Sequence, residues 1–465
     1  MRLAQLSDFL SPILVKELRQ GRRSRALILL AALTILASGI ITLYAVGKDS
    51  GTDAFMALYF CLSIVGFLIV PLTAHRSFVR EQEDGSWQIL QLTGLGPRRI
   101  LAGKLASSMA QVAILSVAVS PFLILSHFLT GYGLLNIALL CAAGALMTGA
   151  LTPAALFAAT LPTTRAQRGV LQILVLVGLI CGLSACVSFA MEVGRQGVDT
   201  YNLVASLWGV LGVGFVLFEA AAARMSLPTE NYAWRPRVAL IVLLMGVTAL
   251  GAWEHVRVWG FPALEAVSFG PGSPWPIYTA RNFHLLSVLI ISAGALAMAT
   301  EADRAGPPGQ KRLSLLAPGA LAGFRLTLLL LVASTAFWGT LADAHWLPGM
   351  IVVASYPILY LAAALWVCRG LRPRGLAAPD ATRFVLGSWA LLGAFVPWLL
   401  GQGFSRHGAP AEFPLALISP AVGYELFKNP TPRAYCCGPW VMGALAVLVA
   451  VLTDRMLARR RAASA

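Results

Sequence analysis

Apolar residues along this chain come in long unbroken runs, not in the period-two alternation of strands or the one-sided stripe of soluble helices. Crossing about 30 Å of hydrocarbon at 1.5 Å per helical residue takes roughly twenty consecutive apolar residues. Runs of about that length fall near 26–47, 54–74, 105–130, 134–161, 169–191, 203–223, 238–253, 283–300, 326–347, 350–368, 384–402 and 440–457. The pattern predicts an all-α integral membrane protein, a polytopic bundle of about twelve transmembrane helices.

Composition agrees, since 58% of residues are hydrophobic and 12% charged, against roughly a quarter charged in an average soluble chain. The net charge of +15 is distributed unevenly. With the N-terminus inside, the twelve-span reading places 28 of the 35 Lys and Arg in cytoplasmic segments and 7 outside. Basic residues are retained in cytoplasmic loops, so both termini are expected in the cytoplasm. The positive charge is thereby a topology signal that calls for no nucleic acid partner, while anionic membrane lipids suit the basic loops. A largely polar and basic stretch precedes the first run, and no small-residue cleavage site follows it, so no cleaved signal peptide is expected. Five cysteines (Cys61, Cys141, Cys181, Cys186, Cys368) lie within spans, where Cys behaves as a small hydrophobe. Cys436 and Cys437 are adjacent but lack a His or second Cys pair at ligand spacing, so no metal site is predicted.

Catalytic motifs are missing from the sequence. A phosphate-binding loop needs Gly, four residues, then Gly-Lys and Ser or Thr. Here Gly103-Lys104 is followed by Leu105, and Arg98 stands where the first Gly belongs. No His-Glu-x-x-His helix and no Gly-x-Ser-x-Gly elbow occurs. The chain is therefore expected to hold no cofactor, any ATP being bound by a partner. The spans are nearly free of charge. Glu219 falls near an inner span end, and Glu254-His255 and Asp343-x-His345 at outer ends, positions that predict water-facing interfacial polarity. Pro71, Pro121, Pro153 and Pro397 are candidate kinks. Gly178 and Gly182 form a small-xxx-small face for helix packing.

Two cytoplasmic segments carry more specific patterns. In residues 1–25, Ser11 caps and Pro12 opens a short helix with Leu14, Val15 and Leu18 on one side. Such a helix lies in the headgroup plane, anchored by Lys16, Arg19, Arg22, Arg23 and Arg25. Residues 75–104, between the second and third spans, carry an acidic cluster (Glu81, Glu83, Asp84) on an otherwise basic side. An apolar stretch from Trp87 to Leu95, too short to span, follows a Gly85-Ser86 turn. Pro97 restarts a helix whose first turn holds Arg98 and Arg99, where the macrodipole disfavours cations, so lipid phosphate or a partner's carboxylates are expected to compensate. The acidic cluster could instead pair locally with Arg76, Arg80, Arg98 or Arg99, for about 0–1 kcal/mol per exposed pair.

At these residues the chain resembles the membrane subunits of type 2 ABC exporters. Members have an interfacial helix before the first span and a cytoplasmic coupling helix between the second and third. Arg80, Glu81, Glu83, Gly85, Ser86, Leu90, Leu92, Thr93, Leu95, Gly103 and Lys104 follow the order of the family's loop, and Pro12 to Arg19 is similar to the opening of some members. Trp87-Gln88 stands where Leu-Glu is usual, and Gly94 where Pro is usual. The resemblance implies an elbow-like helix in 1–25, a six-span permease module in 26–225 with its coupling segment in 75–104, and a second six-span module in 226–465 with long outer loops at 254–282 and 403–438. It further implies export driven by a separate ABC ATPase subunit, with Arg80, Glu81, Glu83, Asp84, Gly85, Ser86, Trp87, Leu90, Leu92 and Leu95 at the docking surface. The setting implied is a bacterial-type inner membrane, alone, with a second copy or with a second permease. A different class stays open: a membrane-embedded enzyme or assembly factor acting on lipid-linked substrates through Glu254, His255, Asp343 and His345. A major-superfamily facilitator would need a Gly, Asp and Arg signature between spans two and three that is absent.

Overall fold

In hydrocarbon every backbone N–H and C=O must be bonded within the segment, so long Leu-, Ala- and Val-rich runs have the helix as their only open solution. The computed structural model describes residues 14, 15, 17, 25–48, 51–85, 96–130, 133–161, 165–196, 200–226, 233–259, 275–298, 315–317, 319–341, 347–370, 382, 385–386 and 438–464. Among them all regular structure is helical. The order is α1 (Arg25–Lys48), α2 (Gly51–Ser63), a π-helical turn (Ile64–Ile69), α3 (Val70–Glu83), α4 (Pro97–Thr130), α5 (Leu134–Ala159), α6 (Arg165–Gln196), α7 (Thr200–Met225), α8 (Trp234–Trp259), α9 (Trp275–Met298), α10 (Ala320–Leu341), α11 (Leu347–Leu365), a second π-helical turn (Trp366–Gly370) and α12 (Gly438–Ser464). Among the described residues ten helical stretches are long and apolar enough to cross a bilayer, and a shorter apolar stretch, Phe283–Leu296, lies in α9. The molecule is thus an all-α, multi-pass membrane protein. The run expected as the eleventh span, 384–402, lies outside the described residues apart from 385–386. The chain divides into two compact units, Met1–Glu230 and Asn231–Ala465.

In the first unit α5 lies parallel to both α3 and α7. Tyr59 hydroxyl donates to the Leu140 carbonyl at 3.5 Å and His75 Nδ1–H to that of Ala155 at 2.9 Å, pairs that advance in step. On the other side Gly214 approaches Ala150 so closely that a Cβ there would sit 2.7 Å from the Ala150 Cα, and Arg224 Nη2 donates to the Thr160 carbonyl at 2.9 Å. Of the pair predicted for packing, Gly182 does meet Leu151, but Gly178 faces open space. Pro71 sits in the first turn of α3, directly after the π turn, where a missing N–H costs least. Pro121 and Pro153 lie inside α4 and α5 without ending them.

In the second unit α8 and α9 run antiparallel, with Leu240 against Gly294 and Phe283 against Gly251. Trp338 of α10 is fully buried, stacked on Phe283 at 5.6 Å, and its indole N–H donates to Ser287 Oγ at 3.4 Å. Arg237 is fully buried and satisfies the carbonyls of Leu315 (2.9 Å), Ala317 and Gly319 (3.2 Å), the chain entering α10. Arg325 of α10 grips both carboxylate oxygens of Asp454 of α12 at 2.6 and 2.9 Å. α11 and α12 are parallel, since Ile351 lies on Gly443 and Trp366 Nε1–H donates to Thr453 Oγ1 at 2.9 Å. Where parallel neighbours both span a bilayer, one ends and the other begins on opposite sides.

Helices also outlast the spans that hydropathy marks. Residues 75–83, expected as loop, are helical, and the helix expected to restart at Pro97 does so, so the connection narrows to 84–96. From Gly51 to Glu83 the helix is about 50 Å long at 1.5 Å per residue, well beyond the roughly 30 Å of hydrocarbon. Past Pro71 no breaker intervenes before Gly85. The outer segment 254–282 narrows likewise, with α8 running to Trp259 and α9 starting at Trp275, and α10 begins six residues before its expected span.

Candidate functional site

The end of the first unit that carries its basic residues holds a group of charged side chains below the apolar core. Its centre is Lys104, on the face of α4 shared with buried Leu101 and Ser108. Only 3% of its side chain is exposed. Its amine donates to Glu17 Oε1 at 2.9 Å and to Ser77 Oγ at 3.4 Å, and lies 3.0 Å from Glu81 Oε2. The Phe78 ring, with its centroid 6.0 Å away, closes the side facing the core formed by Leu101, Leu156, Ala159, Ala221, Ala222 and Met225. One cation thus serves two nearly buried carboxylates, joining the N-terminal segment, α3 and α4. A buried amine of this kind is tolerated only while its partners remain.

Two further ion pairs flank it. Arg98 in the first turn of α4 pairs with Glu219 of α7, whose side chain is 3% exposed. Glu219 is therefore buried rather than water-facing, and the cation at the α4 N-terminus is compensated from within the chain. Arg168 of α6 pairs with Glu83 at the end of α3. Local pairing of the acidic cluster is real: Glu81 meets Lys104 and Glu83 meets Arg168. α3 stops where Asp84 N–H bonds back to the Arg80 carbonyl at 2.9 Å and Gly85 takes φ +67°, a left-handed conformation that favours glycine.

Among the residues predicted for ATPase docking, Arg80, Glu83 and Asp84 are exposed, Gly85 is half-buried, and Glu81 is turned onto Lys104. Ser86, Trp87, Leu90, Leu92 and Leu95 lie outside the described residues. Of the interfacial anchors, Lys16, Arg19, Arg22 and Arg23 also lie outside them, and Arg25 opens α1. Leu14, Val15 and Glu17 are helical and half-buried. Of the residues considered for chemistry on the outer side, Glu254 is half-buried in α8, while Asp343 and His345 lie outside the described residues. Sequence reading missed Glu17, Ser77, Lys104 as a junction, Arg168 and the buried state of Glu219. A signal existed for Lys104, because Leu101, Lys104 and Ser108 share the face of α4 that carries apolar Leu101 and Leu105 into the span. No family model matches the chain, and neither a curated protein nor a solved structure matches it.

Proposed function

We propose that the chain is the membrane subunit of an ABC-type exporter in a bacterial-type inner membrane, with both termini cytoplasmic and ATP bound and hydrolysed by a separate ATPase subunit. The observation that carries this reading is the anchoring of the 84–96 connection. Its entry is held by Glu81 on Lys104 and Glu83 on Arg168, and its exit by Arg98 on Glu219. A push on this connection bears at once on α3, α4, α6, α7 and the N-terminal segment. A coupling element needs that property, and an ordinary solvated loop has no use for it.

The same contacts narrow the docking surface. Glu81 is committed internally, so an ATPase would meet Asp84 and the apolar stretch from Trp87, with Trp87 as buried anchor and Asp84 fixing register by charge. Trp87→Ala and Asp84→Lys leave every ion pair above intact. Removing an aromatic anchor costs about 2 kcal/mol, or roughly thirty-fold in affinity. Both variants are therefore expected to insert normally and to lose a co-expressed ABC ATPase during purification. Retention of the ATPase by both, with substrate-stimulated ATP hydrolysis unchanged, would remove the basis for this function. Substrate identity does not follow from these contacts.

A further inference from the structure

A second charged feature lies beside the Lys104 junction, on the outside of the bundle. Arg76, Arg80 and Glu83 fall at i, i+4 and i+7 of α3, within about 60° of arc. They face α6. Arg76 donates from Nε and Nη2 to the Gln172 side-chain oxygen at 3.3 and 3.1 Å, in the amide orientation that satisfies both groups. One turn along, Arg168 meets Glu83. Three arginines therefore line this seam with Glu83, Asp84 lies one turn beyond Arg80, and Arg76 and Arg80 are exposed. Between Arg168 and Gln172, Gly169 is exposed with nothing within 4 Å of where a Cβ would be, so the α6 surface is open at that level.

Gly169, Ile180 and Ile173 lie roughly 100–140° around α6 from Arg168, at the edge of the face that meets α3, and both isoleucines are more than 40% exposed. A headgroup-depth cluster of positive charge beside a lipid-facing apolar ladder of Ile173 and Ile180 is complementary to an amphiphile with an anionic head. A soluble anion would use the arginines alone and leave the ladder irrelevant. We infer that the α3–α6 seam is a binding site for an anionic phospholipid, its phosphate between Arg76, Arg80 and Arg168 and its acyl chains along α6. The inference is independent of any ATPase.

The test uses the full chain in detergent with an equimolar mixture of phosphatidylglycerol and phosphatidylcholine, and counts retained lipids by native mass spectrometry. The unaltered chain is expected to retain phosphatidylglycerol preferentially. Arg76→Gln with Arg80→Gln should reduce that preference roughly tenfold or more. The control Arg455→Gln with Arg459→Gln, which removes equal charge from exposed positions of α12, should leave it intact. Equal retention of the two lipids by the unaltered chain, or equal loss in both double variants, would overturn the site. So would displacement of the lipid by glycerol phosphate at matched concentration, since that identifies a soluble anion. Should the glutamine pair fail to fold, a photoactivatable phosphatidylglycerol on the unaltered chain should label α6 between Gly169 and Val177, and labelling confined to other helices would refute the assignment.

Discussion

Replacing Lys104 by Met keeps the length and most of the volume of the side chain while deleting its charge. Glu17 and Glu81, each with only 15% of its side chain exposed, would then lose the cation they share. Removing one partner of a buried ion pair costs about 3–5 kcal/mol. Because both carboxylates retain some access to water, the lower figure applies, about 3 kcal/mol, or roughly 150-fold in the equilibrium between docked and undocked N-terminal segment. Trypsin can cut at Lys16 and Arg19, on either side of Glu17. When reclosing is fast relative to cleavage, the cutting rate follows the population of the open form. Lys104→Met should accordingly be nicked there about a hundred times faster than the parent, whereas Arg99→Met, at an exposed position on the same helix, should not. Adding Glu81→Gln to Lys104→Met removes one of the stranded charges and should recover about 1–3 kcal/mol. Cleavage of Lys104→Met at the parental rate, with simple additivity in the double variant, would show that Lys104 does not hold the segment.

Gly214→Ala should destabilise the first unit by about 1–3 kcal/mol, because the new methyl group meets the backbone of α5 at Ala150, which cannot turn aside. Gly178→Ala, which points into open space, should be neutral or slightly stabilising through its better helix propensity. Equal thermal shifts for the two variants in detergent would contradict the helix packing described. With α11 and α12 parallel, α11 ends and α12 begins on opposite sides, so reporters inserted at 307 and fused after Ala465 should lie on the same side, and one inserted between 403 and 437 on the other. A reporter between 403 and 437 that shares the side of Ala465 would refute that course.

Hydropathy makes the spans legible because the bilayer imposes one overriding demand, the removal of apolar surface from water, and that demand is met locally along the sequence. It records where hydrocarbon ends and not where a helix ends. The stretch Arg76–Gln82 is polar, and so reads as loop, yet it consists largely of helix-competent residues with a preformed helix above it to extend. Only Gly85, where the backbone turns left-handed, stops it. Helix termination is therefore readable from that one glycine once the span is not taken as the limit. Gly178 and Gly182 present the reverse case. Their spacing is visible, but which small residue contacts a neighbour depends on which helices become neighbours, and the close backbone approach is that of Gly214 to Ala150, a pair without a shared local motif.

Charged contacts are the least legible part for the same physical reason. Glu17 and Lys104 are 87 residues apart, Arg168 and Glu83 are 85, Arg98 and Glu219 are 121, and Arg325 and Asp454 are 129. Nothing local pairs them. A general rule nonetheless emerges from their placement, because each pair includes one of the basic residues that the positive-inside count places in the cytoplasm. A carboxylate left at a basic membrane end is drawn to whichever cation the helix packing brings near. Acidic residues there serve first as ties between helices, and only one left over is available to a partner. Within the cluster of Glu81, Glu83 and Asp84, the first two are spent on Lys104 and Arg168. Asp84 is exposed, at the point where α3 ends. If an external protein recognises this connection by charge, the contact therefore falls on Asp84, and substitutions at Glu81 or Glu83 would act by loosening the helices beneath it.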